Sequence, residues 1–276
     1  MTQSRNSDDR YAIIAGNGTF PFLVLDAARA EGIEPLVVAI QEEASPDLSS
    51  RSADTRWVSL GEVSKFFELL KTERVTKVVL AGQVKHAQLF SNIKPDGLLN
   101  RALAGLSRKN TDALIGAFVH MLSRQGIEVV DSTIFLKSIL AGEGPLTTRR
   151  PDESEWADVA YGREIAKKIA GIDIGQTLVV AERACVAIEA MEGTDATIER
   201  AASLSNGRRL VVVKVSKPRQ DMRFDVPVVG PKTVQVMQRA NALTLAVDAG
   251  KTLLFEKPRL LDEANAAGIA ILGMRD

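Results

Sequence analysis

The stretch Tyr11-Ala-Ile-Ile-Ala-Gly-Asn-Gly-Thr-Phe-Pro21 decides the architecture: an unbroken apolar run meets two glycines, then a proline suited to a first helical turn. An apolar run without polar alternation reads as a strand covered on both faces, as in a parallel sheet. The pattern recurs along the chain. Apolar runs at 35–40, 77–81 and 127–130 alternate with helical periodicity over 22–30, 61–71 and 111–125. This predicts a Rossmann-like parallel-sheet domain over residues 1–140. Glycines and prolines in Ala141-Gly-Glu-Gly-Pro-Leu-Thr-Thr-Arg-Arg-Pro151 break the rhythm, so 141–151 reads as a linker. A mixed α/β domain follows over 152–276. Its helices are predicted at 153–169, 195–202, from 231, and at 260–267; its strands at 177–181, 184–189, 209–215, 243–247, 252–255 and 269–272.

Composition narrows the function. At 276 residues and 45% hydrophobic, the chain can bury two cores. Lys plus Arg equals Asp plus Glu at 35 each, so no net field favours nucleic acid, and any anion binding must be local. The single Cys185 can form no internal disulfide, the polar residues 1–10 lack an apolar leader core, and no apolar run reaches the about 18 residues of a membrane span; the expectation is a cytoplasmic protein. Two histidines, His86 and His120, and one cysteine cannot build a His/Cys zinc site, so any metal should be a hard, oxygen-bound ion such as Mg²⁺. Absence of Gly-x-x-x-x-Gly-Lys-Ser/Thr and Gly-x-Ser-x-Gly removes P-loop ATPase and serine hydrolase readings.

Four segments carry candidate chemistry. The first turn offers Gly16, Asn17, Gly18, Phe20 and Pro21 to a substrate phosphate, through backbone amides and a helix N-terminus; an ordinary tight turn is the alternative. Pro21 occupies the third position of a dinucleotide fingerprint and 41–43 supplies only an ambiguous ribose-binding acid, which disfavours NAD. A second glycine turn, Gly82-Gln83-Val-Lys85, follows another strand and should line the same crevice. Asp112 and Asp131 read as caps, and both histidines as structural.

In the second half, Glu189-Ala-Met-Glu-Gly-Thr194-Asp195 joins a strand to a helix start. Thr194 or Asp195 can serve as the N-cap, while the carboxylates either face water or hold a cation. If the strand persists, Glu189 and Met191 share a face. The strongest signal lies in 210–230. Lys214 sits within an apolar strand, where an ammonium needs an anionic partner, and the next segment, Lys217-Pro-Arg-Gln-Asp-Met-Arg-Phe-Asp225, is densely charged. Pro218 and Pro227 disfavour helix, and an extended reading places Asp221, Arg223 and Asp225 on one side.

These segments resemble the LpxI family of UDP-2,3-diacylglucosamine pyrophosphatases of lipid A biosynthesis. The resemblance runs from Tyr11 to Gly273 on Ile14-Ala-Gly-Asn-Gly-Thr-Phe-Pro21, Leu80-Ala-Gly-Gln-Val84, Glu189-Ala-Met-Glu-Gly-Thr-Asp195 and Lys217-Pro-Arg-Gln-Asp-Met-Arg-Phe-Asp225-Val-Pro. It implies a Rossmann-like N-terminal domain, a C-terminal domain of its own type, a substrate held between them, and Mg²⁺-dependent hydrolysis to UMP and 2,3-diacylglucosamine 1-phosphate (lipid X). A lipid-bearing substrate further implies peripheral work at the inner membrane. Oligomeric state is open, with a homo-oligomer among the options.

A mechanism consistent with the resemblance has Asp225, with Asp221, Glu189 or Asp195, binding metal or activating water. Lys214, Lys217 and Arg219 stabilise phosphate charge, and Gln220 positions the water. Gly16, Asn17, Gly18, Phe20, Pro21, Gly82, Gln83, Lys85 and Thr194 would hold substrate. Two other readings remain: a nucleotide- or lipid-binding sensor without catalysis, and a nicotinamide-dependent oxidoreductase.

Overall fold

The computed structural model describes residues 9–84, 96–104 and 111–275. The chain forms two compact units, 1–136 and 137–276.

The first unit runs β1 (Tyr11–Ala15), α1 (Phe20–Ala30), β2 (Leu36–Ile40), α2 (Leu48–Arg51), β3 (Thr55–Val58), α3 (Val63–Thr72), β4 (Lys77–Ala81), α4 (Gly97–Ala104), α5 (Thr111–Arg124) and β5 (Glu128–Val129). Its five strands are all parallel, in the order β3-β2-β1-β4-β5. That is the Rossmann-like order, with the chain reversing its direction of travel between β1 and β4. Every residue of β1 and β2 is buried, as the continuous apolar runs require of strands covered on both faces.

The second unit adds a 3₁₀ turn (Lys137–Ile139), β6 (Gly144–Pro145), α6 (Glu153–Gly171), β7 (Thr177–Ala181), β8 (Ala184–Ile188), α7 (Thr194–Leu204), β9 (Leu210–Lys214), β10 (Val228–Val229), α8 (Pro231–Arg239), β11 (Ala242–Asp248), β12 (Leu253–Leu254), α9 (Lys257–Ala266) and β13 (Ala270–Met274). Its main sheet is ordered β6-β13-β11-β9-β7-β8. Strands β9, β11 and β13 are mutually parallel, β6 and β7 run antiparallel to their neighbours β13 and β9, and β7–β8 is a hairpin. The predicted mixed α/β unit is thus present. Gly144–Pro145, within the stretch read as a linker, pairs with β13 as an edge strand of this sheet.

Helix α6 starts at a capping box. Asp152 accepts from the Glu155 amide at 2.9 Å, and Glu155 reaches back to the Asp152 amide at 2.9 Å. Glu155 is also held by Arg149 at 2.7 Å, which explains a buried carboxylate there.

The alternation of β9 sorts the core into two layers. Val211, Val213 and Val215 pack with Val159, Ala166 and Ala170 of α6. Leu210 and Val212 pack with Ile198 of α7 and with Val234 and Met237 of α8. Full burial of each such aliphatic side chain is worth about 1.5–3 kcal/mol, so a lysine ending this strand needs a reason.

Candidate functional site

In the first unit the two glycine turns lie side by side at the carboxyl ends of β1 and β4. The Gly16 amide donates to the Ala81 carbonyl at 2.8 Å, the Asn17 amide to the Gln83 carbonyl at 2.7 Å, and the Gln83 amide to the Asn17 carbonyl at 3.1 Å. A Cβ on Gly16 would stand 2.6 Å from the Gln83 oxygen, and one on Gly82 2.6 Å from the Asn17 oxygen. Both glycines are therefore required by the approach of one loop to the other. The two turns come together, and the amides of Gly16 and Asn17 are spent between loops. Phe20 opens α1 with Pro21 in its first turn, and Gly18 has a φ of 92°. Lys85 and His86 lie outside the described residues.

The Asn17 side chain faces Glu43 at 3.5 Å. Glu42, the other acid after β2, bonds the Ser59 hydroxyl and the Leu60 amide (3.0 Å), a loop-tying role. Asp131 accepts from the amide and the hydroxyl of Thr133, both at 2.7 Å, consistent with its reading as a cap. His120 is exposed on α5, and the side chain of Asp112 lies outside the described residues.

The second unit gathers most of the predicted charged set at the end of β9. Lys214 is buried at 8% exposure, and its Nζ donates to Thr194 Oγ1 at 2.6 Å. Thr194 in turn donates to Glu189 Oε1 at 2.9 Å and lies 3.2 Å from the Thr177 hydroxyl. One hydroxyl hydrogen and two lone pairs account for all three contacts. Burial lowers the Lys214 pKa, and the carboxylates of Glu189, Asp195 and Asp225 oppose that shift. The anionic partner expected of this lysine is thus a surround of three carboxylates, joined through a threonine rather than by a direct ion pair.

Strand β8 ends at Ile188, so Glu189 and Met191 do not continue on one face: Glu189 is buried, and Met191 is 95% exposed. The Glu189 amide caps the Thr177 carbonyl at 2.9 Å, and its Oε2 receives the Gln176 amide at 3.4 Å. Its carbonyl also passes so near Gly175 that a Cβ there would lie 1.9 Å from the oxygen. The N-cap of α7 is Gly193, with φ 85°, rather than Thr194 or Asp195. Thr194 is left free to bond Lys214, and Asp195 binds Thr233 (2.9 Å) and Lys232 (3.2 Å). Glu192 accepts from the Ala190 amide and Arg200, and backbone hydrogen bonds, led by that from its own amide, lower its pKa to about 2.

The charged loop is not extended. Asp221 Oδ1 accepts from the Arg223 amide at 3.1 Å, and the Asp225 amide bonds the Asp221 carbonyl at 3.0 Å, which coils 221–225 into a turn. Local side-chain bonding outcompetes strand here, with no neighbouring strand to pair. Asp221 and Arg223 consequently form their own pair, at 2.6 Å, and that bond holds the Asp221 carboxyl below its usual range. Asp225 turns elsewhere: its Oδ2 lies 3.0 Å from Lys217 Nζ, and its Oδ1 3.5 Å from Gln176 Nε2. Lys217 also meets Asp173 at 2.7 Å. Gln220 spends both ends of its amide on the loop, accepting from the Lys217 amide at 2.6 Å and donating to the Asp225 carbonyl. Arg219 is exposed.

Among the described residues, no three His, Cys, Asp or Glu side chains gather as a metal site. Asp221 is held by Arg223, Asp195 by Lys232, and Glu189 by neutral donors. Asp225, paired with Lys217 through Oδ2 and touched by Gln176 only at 3.5 Å, is the carboxylate left to meet a hard cation. One carboxylate fits an ion such as Mg²⁺, which takes one or two protein ligands and fills its shell from phosphate and water.

Sequence reasoning missed Asp173, Gln176, Thr177 and Thr233. None carries a motif; each is recruited by proximity in the fold. It also missed Asp248, whose partners Arg163 and Lys167 lie on α6.

Two family models match this chain, the LpxI N-terminal domain over residues 10–147 and the LpxI C-terminal domain over 142–272. A relative from Caulobacter vibrioides, UDP-2,3-diacylglucosamine pyrophosphatase LpxI, is 30% identical, covering 96% of this chain and 97% of its own.

Proposed function

The chain belongs to the LpxI family, and from that premise we propose that it hydrolyses the diphosphate of UDP-2,3-diacylglucosamine to UMP and 2,3-diacylglucosamine 1-phosphate. The observation that carries this reading is the cluster of acids and bases about Lys214 and Asp225. Hydrolysis of a diphosphate needs a group that takes a proton from water and fixed positive charge for the phosphate oxygens, and this centre offers both.

Asp225 is the carboxylate that meets the reacting water. Lys217 holds its Oδ2, while Oδ1 is the oxygen that takes the proton. Lys214 supplies desolvated positive charge, which acts more strongly on phosphate than a solvated cation, and Lys217 and Arg219 add to it. Gln220 keeps Lys217 and Asp225 in register through their backbones. Mg²⁺ would be held by Asp225 together with diphosphate oxygens, and would neutralise charge building on the phosphate.

Exposed Ile172, Ile174 and Met191 stand in the loops that carry Asp173 and Glu189, giving apolar surface to a substrate with acyl chains. Among the described residues no helix is long and apolar enough to cross a membrane. We place the enzyme as a peripheral protein on the cytoplasmic side, reaching its lipid substrate at the inner membrane surface.

The test is UMP release from UDP-2,3-diacylglucosamine with and without Mg²⁺. Release that requires Mg²⁺ and is lost in Asp225→Ala at unchanged Tm is the expected result. No release from the wild-type protein, or near-normal kcat in Asp225→Ala, would sink the assignment.

A further inference from the structure

We infer that Gln176 belongs to the reaction centre, its carboxamide oxygen accepting a hydrogen bond from the water that attacks the substrate; this rests on the hydrolase reading above. The backbone of Gln176 is fixed on both sides. Its amide donates to Glu189 Oε2 at 3.4 Å, and its carbonyl accepts from the Val215 amide at 2.8 Å, next to Lys214. The side chain is then led toward Asp225, where Nε2 stands 3.5 Å from Oδ1.

Oε1 is buried and accepts no hydrogen bond. Among the described residues two other side-chain atoms share that condition, Ser52 Oγ and Thr252 Oγ1, and both are hydroxyls that can rotate toward a partner. Gln176 contributes a carbonyl, whose direction is set by the rest of its amide. Turning the amide over would point that oxygen at a carboxylate, so the donor belongs toward Asp225 and the acceptor stays open. A buried acceptor without a donor costs stability, and such groups persist where a ligand supplies the donor.

Water is the donor this geometry suits. A water between Gln176 Oε1 and Asp225 Oδ1 gives one hydrogen to each and keeps a lone pair for phosphorus. On attack a new P–O bond forms, the proton facing Asp225 passes to Oδ1, and the bridging P–O bond breaks with its electron pair leaving on the departing phosphate. The amide of Gln176 orients the water and is not itself changed.

Two variants test the role. Gln176→Met keeps the side-chain length and removes both polar atoms; the expected result is a Tm raised by about 1–3 °C, as an unsatisfied group is lost, with KM within about twofold and kcat lowered about 100-fold. A structural residue would show a lowered Tm instead. Gln176→Glu keeps an oxygen acceptor but sets a second carboxylate against Asp225. Through that retained acceptor its kcat should stand at least about tenfold above that of Gln176→Met. If the wild-type protein releases UMP while Gln176→Met keeps kcat within about threefold, the inference fails and the hydrolase reading stands. Should Gln176→Met not fold, Gln176→Leu takes its place, and a kcat kept within about threefold overturns the inference by itself. A wild-type protein that releases no UMP overturns both together.

Discussion

On the α6 face of the second sheet, Asp248 ends β11 at 1% exposure and is fully matched. Its Oδ1 takes Arg163 at 2.7 Å; its Oδ2 takes Lys167, the Ser216 amide and the Ser216 hydroxyl, each at 2.7 Å. On the opposite face, Lys214 ends β9 at 8% exposure with its ammonium bonded to a neutral hydroxyl and three carboxylates in its field. Both are buried charges at the carboxyl edge of one sheet, on adjacent parallel strands. The Asp248 cluster is closed, with every partner drawn from the chain. Around Lys214 the ammonium meets a hydroxyl while Asp195 and Asp225 pair with Lys232 and Lys217 instead, and a buried carbonyl nearby has no donor. A closed cluster stabilises; an open one is held ready for a ligand, and the fold tolerates its cost.

Removing the partner from the closed cluster should have the largest effect. Asp248→Ala removes the carboxylate that Arg163 and Lys167 share and frees Ser216, which joins β9 to the loop carrying Lys217. The expected loss is about 3–5 kcal/mol in urea unfolding, the usual consequence of stranding buried charge. A loss below about 1 kcal/mol would mean that the cluster does not stabilise the fold.

The open cluster should respond in the other direction. Lys214→Met removes a charge that burial penalises, so unfolding stability should hold within about 1 kcal/mol or rise. Turnover should fall about 100- to 1,000-fold, the range for losing a preorganised group that stabilises transition-state charge. Parallel loss of stability and activity would erase the contrast between the two faces.

A smaller effect separates shape from charge. Gly175→Ala sets a Cβ 1.9 Å from the Glu189 carbonyl, and the backbone must move to admit it. Overpacking of this kind costs about 1–3 kcal/mol. The displaced Glu189 loop should also lower kcat while leaving KM little changed, as steady-state kinetics at a temperature well below Tm would reveal.

How these sites could be seen in the sequence differs for the same reason. Lys214 stands out because an ammonium inside Leu-Val-Val-Val is an anomaly in a single local window. Asp248 ends an ordinary apolar strand, and its partners lie 85 and 81 residues earlier in α6, beyond any spacing rule. The long parallel strands could be read, because continuous apolar runs report burial on both faces. Edge strand β3, Thr55-Arg-Trp-Val58, is half-exposed and polar at its start, and the two-residue strands β6 and β10 are too short to hold a period. The loop after Lys217 misled for a physical reason: prolines exclude helix, but they do not choose between an extended chain and the Asp221 turn, which a side-chain hydrogen bond decides.

The pH dependence gives the finest distinction, because the two buried charges are depressed in pKa for opposite causes. Burial acts to raise the Asp248 pKa, and the bonds from Lys167, Ser216 and Arg163 outweigh it, so the folded carboxyl titrates below the about 3.9 of an unfolded aspartate. Its contribution is complete above roughly pH 4 and disappears as pH falls through the folded value. The stability gap between wild type and Asp248→Asn should therefore close in acid. Lys214 is depressed because desolvation disfavours its charged form, below the about 10.4 of an unfolded lysine. The folded state then releases its proton first, so wild type should gain on Lys214→Met as pH rises from neutral toward about 10. Urea midpoints across both windows check the pair. A gap to Lys214→Met that stayed flat up to pH 10 would show that the ammonium is paired after all, and would remove the difference between the two faces.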